Sequence, residues 1–473
     1  MSSRYRRWLF ALIPVLVLAD TAYSFLQYYH HPLDGDVAWN LVPASEVLSV
    51  LADPFGVSTW LEGQIYPNPN RFFCHWSFRA YFLHFPVWLQ HFTDPVSSVY
   101  LAAAMARIGT QLLLVALFVR VVTGHWKLSS RGWWVTALLF IPFFQANGYR
   151  SHIGIVDPSV TYTFFYALPA ALLLLFLLPF IDRYGHGRQS LPAWQIALWI
   201  PLAAVVCLSG PLNPATIGVA CATAGWYVLR HRPGWADIRA DRSYLLLALW
   251  AAALSGYALW IGSFNSLTID NAISLDERYA RLPLGIFRQF TGKLAWPVLL
   301  AGLAINYGFL RRSAGNKQLL RWYRYGLVFA SLYILLLPLG GYREYRPYIL
   351  RYDTILPITL LCLIGYVAGV RAVYRSMQPA RRSLYLLLPI TIALVYTFAD
   401  EPSFEQNNCE VAALRHLAAE TSDTIVLNTD CPVLAWQTFA VPEESELNAR
   451  LLRAWRIVDR DLRYYHLIYP SAE

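Results

Sequence analysis

The sequence predicts an all-α polytopic membrane protein. Its 473 residues are 57% hydrophobic and 14% charged, with a mean hydropathy of +0.39, whereas soluble domains carry about 25% charged residues. Apolar runs near the ~20 residues needed to cross hydrocarbon recur along the whole chain. Tryptophan and tyrosine, 18 and 30 residues, are numerous enough for aromatic belts at two membrane interfaces.

Segment length and flanking charge predict about eleven transmembrane helices. They cover residues 8–26, 97–119, 133–146, 161–181, 194–209, 211–229, 244–263, 295–310, 326–340, 354–370 and 384–398. The weakest of these are 133–146, which is short, and the 194–229 pair, which Gly210-Pro211 divides. An odd number of spans places the two termini on opposite sides of the membrane.

Lysine and arginine predict the orientation. The N-terminus carries Arg4, Arg6 and Arg7, and basic clusters recur in alternate loops. The positive-inside rule therefore predicts a cell-membrane protein with a cytoplasmic N-terminus and an extracytoplasmic C-terminus. The net charge of +9 is mostly this topological signal and does not indicate nucleic-acid binding. Because Asp20 interrupts the first helix and no clean cleavage site follows, we interpret that helix as a signal anchor.

Two regions are expected outside the membrane. The first outer loop, 27–96, belongs to a transmembrane domain of residues 1–398 and is too long for a simple connector. Its segments 37–51 and 79–92 are typical of helices lying at the interface. Residues 399–473 are expected to form a small extracytoplasmic α/β cap, with helices at 408–420 and 443–462 and a strand at 424–427.

The cap also contains two cysteines. Cys409 and Cys431 could pair in an oxidising compartment, which would leave Cys74 without a partner outside the spans. The spacing does not decide whether this disulfide forms.

An acidic motif directly follows the first predicted helix, where the chain runs His30-His31-Pro32-Leu33-Asp34-Gly35-Asp36. Two carboxylates just outside a membrane, under a long loop, suggest chemistry at the bilayer surface. The alternative is structural, because Asp-Gly-Asp also suits a turn followed by a helix N-cap before Val37.

Arginines on the predicted outer face run against the positive-inside trend. Arg343, Arg346 and Arg351 lie close together at the mouth of a predicted span. The planar guanidinium matches phosphate oxygens, so a bound phosphate, plausibly a lipid phosphate, is expected here. The alternatives are pairing with Glu344 or Asp353, or contact with lipid headgroups.

Two charged residues lie deep in predicted spans. Asp20 and Arg107 each lie ~18–20 Å above the cytoplasmic edge at 1.5 Å per residue. Intramembrane charges are costly and usually paired. A structural Asp20–Arg107 ion pair is therefore predicted, with a direct role in a cavity as the alternative.

Together, these features resemble the GT-C superfamily of polytopic glycosyltransferases, which use polyprenyl-phosphate sugars. The shared features are a first helix with a cytoplasmic N-terminus, an acidic motif directly after it, and a long outer loop with interfacial helices. Arg351-Tyr352, followed by Leu356-Pro357, is similar to the Arg-Tyr entry into a late helix in many members. The resemblance covers most of the chain as architecture. Members often have Asp-Glu at the first-loop motif, where this chain has Asp-Gly-Asp.

The resemblance implies an inverting transfer from a polyprenyl-phosphate sugar to a glycan, lipid or protein acceptor. Asp36 is the first choice for the general base and Asp34 the second. Arginines or a divalent metal would stabilise the leaving phosphate, and His30 and His31 beside the two aspartates leave a metal open.

The second outer loop adds further candidates on the same reasoning. Arg150, His152 and Asp157 are expected to line the substrate cavity. Asp157 also precedes Pro158 and could simply begin the next helix.

Other classes of protein stay open. A polymerase or ligase of lipid-linked saccharides would also use outer arginines. A transporter or flippase would need outer arginines and intramembrane charge, but the sequence shows no inverted repeat and no paired broken helices. A membrane scaffold does not explain why the polar residues concentrate on one face.

Overall fold

The computed structural model describes residues 3–187, 191–231, 241–269, 273–313, 315–342, 344, 346 and 348–467. Arg343, one of the predicted phosphate ligands, lies outside these residues. Within them, the chain is mostly helical and has a two-stranded sheet near its C-terminal end. The mainly helical class predicted from the sequence is confirmed.

The α-helices of the described chain follow in sequence order. They are α1 (Ser3–Tyr29), α2 (Asp36–Leu41), α3 (Ser45–Ala52), α4 (Val57–Glu62), α5 (Phe72–Leu89), α6 (Pro95–Thr123), α7 (Arg131–Phe140), α8 (Arg150–Ile153), α9 (Val160–Tyr162), α10 (Leu168–His186), α11 (Ala193–Cys207), α12 (Leu212–His231), α13 (Arg242–Gly262), α14 (Ser266–Ile269), α15 (Leu275–Thr291), α16 (Ala295–Arg312), α17 (Lys317–Leu336), α18 (Leu356–Ser376), α19 (Pro379–Ala399), α20 (Asn408–Ala419) and α21 (Glu446–Ala454). Short 3₁₀ turns occur at Ile141–Phe143, Leu337–Leu339 and Pro442–Ser445, and a π-helical turn at Thr163–Ala167.

Seven helices of the described chain are long and apolar enough to cross a membrane, or up to nine when each of two bent pairs counts as one span. The predicted count of eleven is not confirmed. The segment predicted at 133–146 forms a helix of 10 residues, Arg131–Phe140, which is short for a span. The structure thus supports a membrane protein, and the sides on which its termini lie stay predictions.

Two bends correct the expectation that the chain has no paired broken helices. Helices α11 and α12 meet at 118°, and α15 and α16 meet at 78°. At the first break, Gly210 has a φ of +114°, a conformation that favours glycine. The amide of Gly210 donates to the Asn70 carbonyl at 3.3 Å, and the Phe73 amide donates to the Leu208 carbonyl at 3.3 Å. The first outer loop therefore satisfies the backbone groups that this break exposes.

The first outer loop is more finely divided than predicted. The segment 37–51 forms two helices, α2 and α3, separated at Pro43, which cannot donate within a helix. The second predicted helix, 79–92, is part of the longer α5, which packs against α6. The loop is thus largely helical, as its apolar patterning indicated.

The C-terminal segment forms the expected α/β unit. Strands β1 (Thr424–Leu427) and β2 (Arg463–His466) are parallel, with Thr424 opposite Arg463. Cys409 and Cys431 form a disulfide. The helix predicted at 443–462 is shorter, because the chain turns at Arg456, whose φ is +56°.

A shared hydrophobic core joins this unit to the first outer loop. Leu33 and Val37 of the loop, Phe78 of α5, and Leu414 and Trp455 of the C-terminal unit belong to one buried cluster. The Trp455 indole N–H donates to the Phe82 carbonyl at 2.9 Å. The unit therefore rests directly on the loop that carries the acidic motif.

Candidate functional site

Asp34 is buried and joins the first outer loop to the start of α9. Its Oδ1 accepts hydrogen bonds from the Thr161 hydroxyl at 2.7 Å and from the Asp36 amide at 3.2 Å. Its Oδ2 accepts from the Thr161 amide at 3.1 Å. Both oxygens are thus engaged in holding two segments together, and the bond to the Asp36 amide is the turn that the structural alternative described.

Asp36 is half-buried in the first turn of α2. Its Oδ1 accepts from the Trp436 indole N–H at 3.1 Å, so the C-terminal unit reaches over the acidic motif. A Cβ at Gly35 would lie 2.6 Å from the Trp436 backbone nitrogen and from its Cδ1. The glycine between the two aspartates is therefore required by this close approach.

Among the residues that the structure describes, no ion pair joins Asp20 to Arg107, and the guanidinium has other partners. Arg107 is fully buried and donates to the Tyr28 carbonyl at 3.0 Å and to the Pro158 carbonyl. Its acidic neighbours are Asp34 and Asp157. The charged group that acts on Asp20 is Asp400.

Similar depth along two helices does not by itself bring two side chains together, and Arg107 has other partners. Two backbone carbonyls, Asp34 and Asp157 surround the Arg107 guanidinium, which the spacing of residues along two helices could not reveal.

Asp157 completes the acidic group around Arg107. Its carboxylate accepts from the Ser159 amide at 2.8 Å and from the Tyr352 hydroxyl. Burial raises the pKa of Asp157, and the carboxylates of Asp353 and Asp34 raise it further. Burial, with Asp157 beside the phenol, also raises the pKa of Tyr352.

The segment that carries Arg346 and Arg351, here called the arginine segment, contacts Tyr162, the residue that follows Thr161. Arg351 forms an ion pair with the buried carboxylate of Asp353 at 2.6 Å, which was one of the alternatives from the sequence. The Arg346 guanidinium donates to the Tyr162 hydroxyl at 3.0 Å. Tyr162 is also within electrostatic range of Asp36 and Asp353.

A π-helical turn positions the aromatic residues at this meeting point. Thr163–Ala167 widens the helix directly after Tyr162, and π-turns inside α-helices occur frequently at functional sites. The rings of Tyr162 and Tyr166 make an edge contact with their centroids 5.3 Å apart. Arg346, Asp36 and Asp353 act on Tyr162, and Arg351 and Asp353 act on Tyr166.

Two further predicted residues, Arg150 and His152, have other described partners than the motif aspartates. Arg150 is exposed at the start of α8 and acts electrostatically on His31. His152 Nδ1 lies 2.9 Å from the Ser151 hydroxyl, and burial and Lys293 lower the His152 pKa. Within the described chain, neither side chain contacts the motif aspartates.

These two residues lie near a separate polar cleft of about 570 Å³. Asn147, Gly148, Tyr149, Lys293, Ala399, Glu401, Pro402, Ser403 and Gln406 line this cleft. This cleft is distinct from the candidate site around Tyr162. None of the residues that line it has a described contact with Tyr162.

The two motif histidines do not form a metal site with the aspartates. His31 is buried, its Nδ1 lies 2.7 Å from the Gln406 amide oxygen, and burial lowers its pKa to about 3. Across the described ranges, no group of three or more His, Cys, Asp or Glu side chains is placed to hold a metal ion.

Glu410 is a central residue that sequence reasoning missed. Its carboxylate accepts from the Leu33 amide at 2.8 Å, the Tyr100 hydroxyl at 2.7 Å and the Leu434 amide at 2.8 Å. Leu33 directly precedes Asp34, and Leu434 lies two residues before Trp436. Glu410 therefore connects both segments that hold the acidic motif.

Three other residues of the site were also missed, because little in the sequence distinguishes them. Thr161, Tyr162 and Trp436 are ordinary residues of a membrane protein by type and spacing. Glu410 could have been noticed as a carboxylate on an apolar helix face, since buried glutamates are rare unless paired.

The chain matches no known family model and no curated protein. Its function is therefore inferred from the geometry and chemistry of the site itself.

We predict that the docking of the C-terminal unit weakens as the pH rises. Burial raises the Glu410 pKa from 4.5 to about 7. A raised carboxyl pKa contributes stability that is present below the unfolded value and is lost as the pH rises through the folded value. Thermal unfolding in detergent should show a loss of stability as the pH rises from 4.5 to about 7, which Glu410→Gln lacks. The exposed Glu405→Gln is the control, and equal pH slopes in all three proteins would contradict the prediction.

We also predict energetic coupling between Arg107 and Asp34. In a double-mutant cycle with Arg107→Met and Asp34→Asn, unfolding free energies should show coupling of about 0.5–3 kcal/mol. A parallel cycle pairing Arg107→Met with Asp20→Asn should be additive to within about 0.5 kcal/mol. Coupling in the second cycle and additivity in the first would reinstate the ion pair predicted from the sequence.

Proposed function

We propose that the chain is an integral-membrane glycosyltransferase. It moves a sugar from a polyprenyl-phosphate-linked donor to a glycan, lipid or protein acceptor on the extracytoplasmic face. The observation that carries the proposal is the convergence on Tyr162 of an acidic motif and an arginine segment that lie about 300 residues apart in sequence. Transfer of a sugar needs both a base for the acceptor and a cation for the leaving phosphate.

Asp36 is the better candidate for the base. The three hydrogen bonds that Asp34 accepts hold Thr161 and the turn, so moving or protonating Asp34 would disturb the motif. Asp36 is half-buried at the start of α2, and the Trp436 indole N–H donates to its carboxylate and orients it. We therefore assign the catalytic role to Asp36 and a positioning role to Asp34.

Arg346 is the better candidate for the phosphate ligand. Its guanidinium donates to the Tyr162 hydroxyl, which places its positive charge beside a ring on which Asp36 also acts. Arg351 is partly neutralised by its ion pair with Asp353. It therefore suits a role in holding the conformation of the arginine segment as much as a role in binding phosphate. A divalent metal stays open as an additional ligand of the phosphate.

The proposed step is a single displacement. The acceptor hydroxyl oxygen forms a bond to the anomeric carbon while its proton passes to Asp36. The bond between that carbon and the phosphate oxygen breaks, and the phosphate leaves with both bonding electrons. The displacement inverts the configuration at the anomeric carbon, because attack and departure occur on opposite faces.

Transport of a lipid-linked or anionic solute is a second candidate because of the two bent helix pairs. Transporters place such breaks around the substrate. Here, backbone groups of Asn70 and Phe73 cover the first break. At the second, a Cβ on Gly292 would lie 2.7 Å from the His152 ring. Because protein segments pack against both breaks, the breaks do not offer their backbone groups to a transported substrate, which favours the transferase.

We predict that Asp36→Asn abolishes sugar transfer while the protein still folds and binds lipid phosphate. Asparagine keeps the size of the side chain and its capacity to accept from Trp436 but is not basic. Loss of a general base costs typically 10²–10⁴-fold in rate. Turnover of a labelled polyprenyl-phosphate sugar by purified protein, with and without divalent metal or chelator, measures this effect.

Two controls accompany this measurement. Asp276→Asn, an exposed carboxylate of α15, should turn over like wild type. Liposomes without acceptor test whether lipid-linked sugar crosses the bilayer. Normal turnover in both Asp36→Asn and Asp34→Asn would refute the assignment, and acceptor-independent crossing would favour the transporter.

We predict that Arg346→Gln weakens binding of polyprenyl phosphate by about tenfold or more, since a charge-assisted hydrogen bond to phosphate is lost. Arg346→Lys should retain part of the affinity, because it keeps the charge without the fork. Titration of the lipid phosphate onto detergent-purified protein gives the dissociation constant. Unchanged affinity in Arg346→Gln and Arg351→Gln would contradict the phosphate assignment.

A further inference from the structure

Two polar side chains at the start of α5 lack hydrogen-bond partners in the described chain. Arg71 directly precedes the helix, and His75 follows one turn later, its amide donating to the Arg71 carbonyl at 3.2 Å. Arg71 Nε and both ring nitrogens of His75 are buried without a partner among the described residues. Buried polar groups are nearly always satisfied, so such a pair indicates a bound group.

The surroundings of this pair connect it to the candidate site. The His75 ring makes an edge contact with Phe165 of the π-helical turn, with centroids 4.8 Å apart. Tyr166, on the same turn, is within electrostatic range of Arg71, Arg351 and Asp353. Arg71 of the first outer loop and the arginine segment therefore both act on one tyrosine.

We propose that Arg71 and His75 form an oxyanion subsite that binds the phosphate of the lipid-linked donor together with the arginine segment. The inference rests on the proposed function for the identity of the donor. Under this proposal, the first outer loop supplies phosphate ligands in addition to those of the arginine segment.

The chemistry of the two side chains favours an oxyanion. A guanidinium offers donors and no acceptor, which excludes a metal cation as its ligand. A neutral imidazole can donate one N–H to a phosphate oxygen. Burial and the neighbouring Arg71 lower the His75 pKa to about 3, so the ring is neutral and the positive charge of the subsite comes from Arg71.

Placement on α5 gives the subsite a fixed position. The Cys74 thiol, between the two residues, donates to the Ser209 carbonyl at 2.8 Å, which ties α5 to the break between α11 and α12. Neighbouring backbone bonds from Phe73 and to Asn70 fix the same junction. The guanidinium and the imidazole are therefore held by rigid backbone rather than by a loose loop.

Titration of a short polyprenyl phosphate onto the full-length protein in detergent tests the proposal. Arg71→Gln should weaken binding by about tenfold or more, and Arg71→Lys should restore part of it. His75→Phe, which keeps a ring against Phe165, should weaken binding less. Arg415→Gln, an exposed arginine of the C-terminal unit, is the matched control and should bind like wild type. Thermal unfolding of each variant verifies folding.

The outcomes separate the subsite from the proposed function. Wild-type affinity in both Arg71→Gln and His75→Phe overturns the subsite even if Asp36-dependent transfer is found. Arg71-dependent binding without any transfer supports the subsite and counts against the transferase. Binding of phosphatidylglycerol or inorganic phosphate that depends on Arg71, with none of polyprenyl phosphate, overturns the assignment to the donor.

Discussion

A positive charge buried among helices is the constraint on which the candidate site depends. Arg107 on α6 has no exposed surface, and it bonds the carbonyls of Tyr28 and Pro158, at the end of α1 and just before α9. A buried charge is costly unless it is paired and hydrogen-bonded. Asp34 and Asp157 supply the opposite charge. Three separate parts of the chain are thereby fixed around one guanidinium, and the acidic motif is fixed with them.

The contact between the C-terminal unit and the first outer loop is the second feature that determines the geometry of the acidic motif. Glu410 accepts from backbone amides on both sides of that contact, and the Trp436 indole donates to Asp36. A unit that is remote in sequence thus orients the carboxylate proposed as the base. Because the Glu410 carboxyl is buried, its protonation and the geometry of the motif are linked through the same hydrogen bonds.

The site is assembled where elements from the two ends of the transmembrane region meet. The π-helical turn after Tyr162 places two tyrosines between the motif, the arginine segment and the start of α5. Tyrosine has an apolar ring and a polar hydroxyl, so it can separate charged groups while still bonding to them. Tyr162 thus lies between the Arg346 guanidinium, which bonds its hydroxyl, and the carboxylates of Asp36 and Asp353.

The sequence alone determined the class of protein, the approximate positions of most helices, and the residue types of the site. Composition and apolar run length carry that information because the bilayer requires ~20 apolar residues per span. The sequence also placed helix 408–420 and strand 424–427 close to their observed bounds. Gly210-Pro211 marked the break in the first bent pair, but periodicity along a chain does not encode how helices bend, so the bend angles of the two pairs were not predicted.

Tertiary structure decided the partners of the charges. Whether Arg107 lies beside Asp20 or Asp34 depends on how the helices are rotated and on which loop folds over their ends. The depth of a residue along its helix gives neither the rotation nor the position of the loop. The same is true of Arg150 and His152, which suit the site by type but have other described partners than the motif aspartates. Glu410 gained its role from contacts with amides far away in sequence. Residue types suggest what chemistry is available, and packing selects which residues share one site.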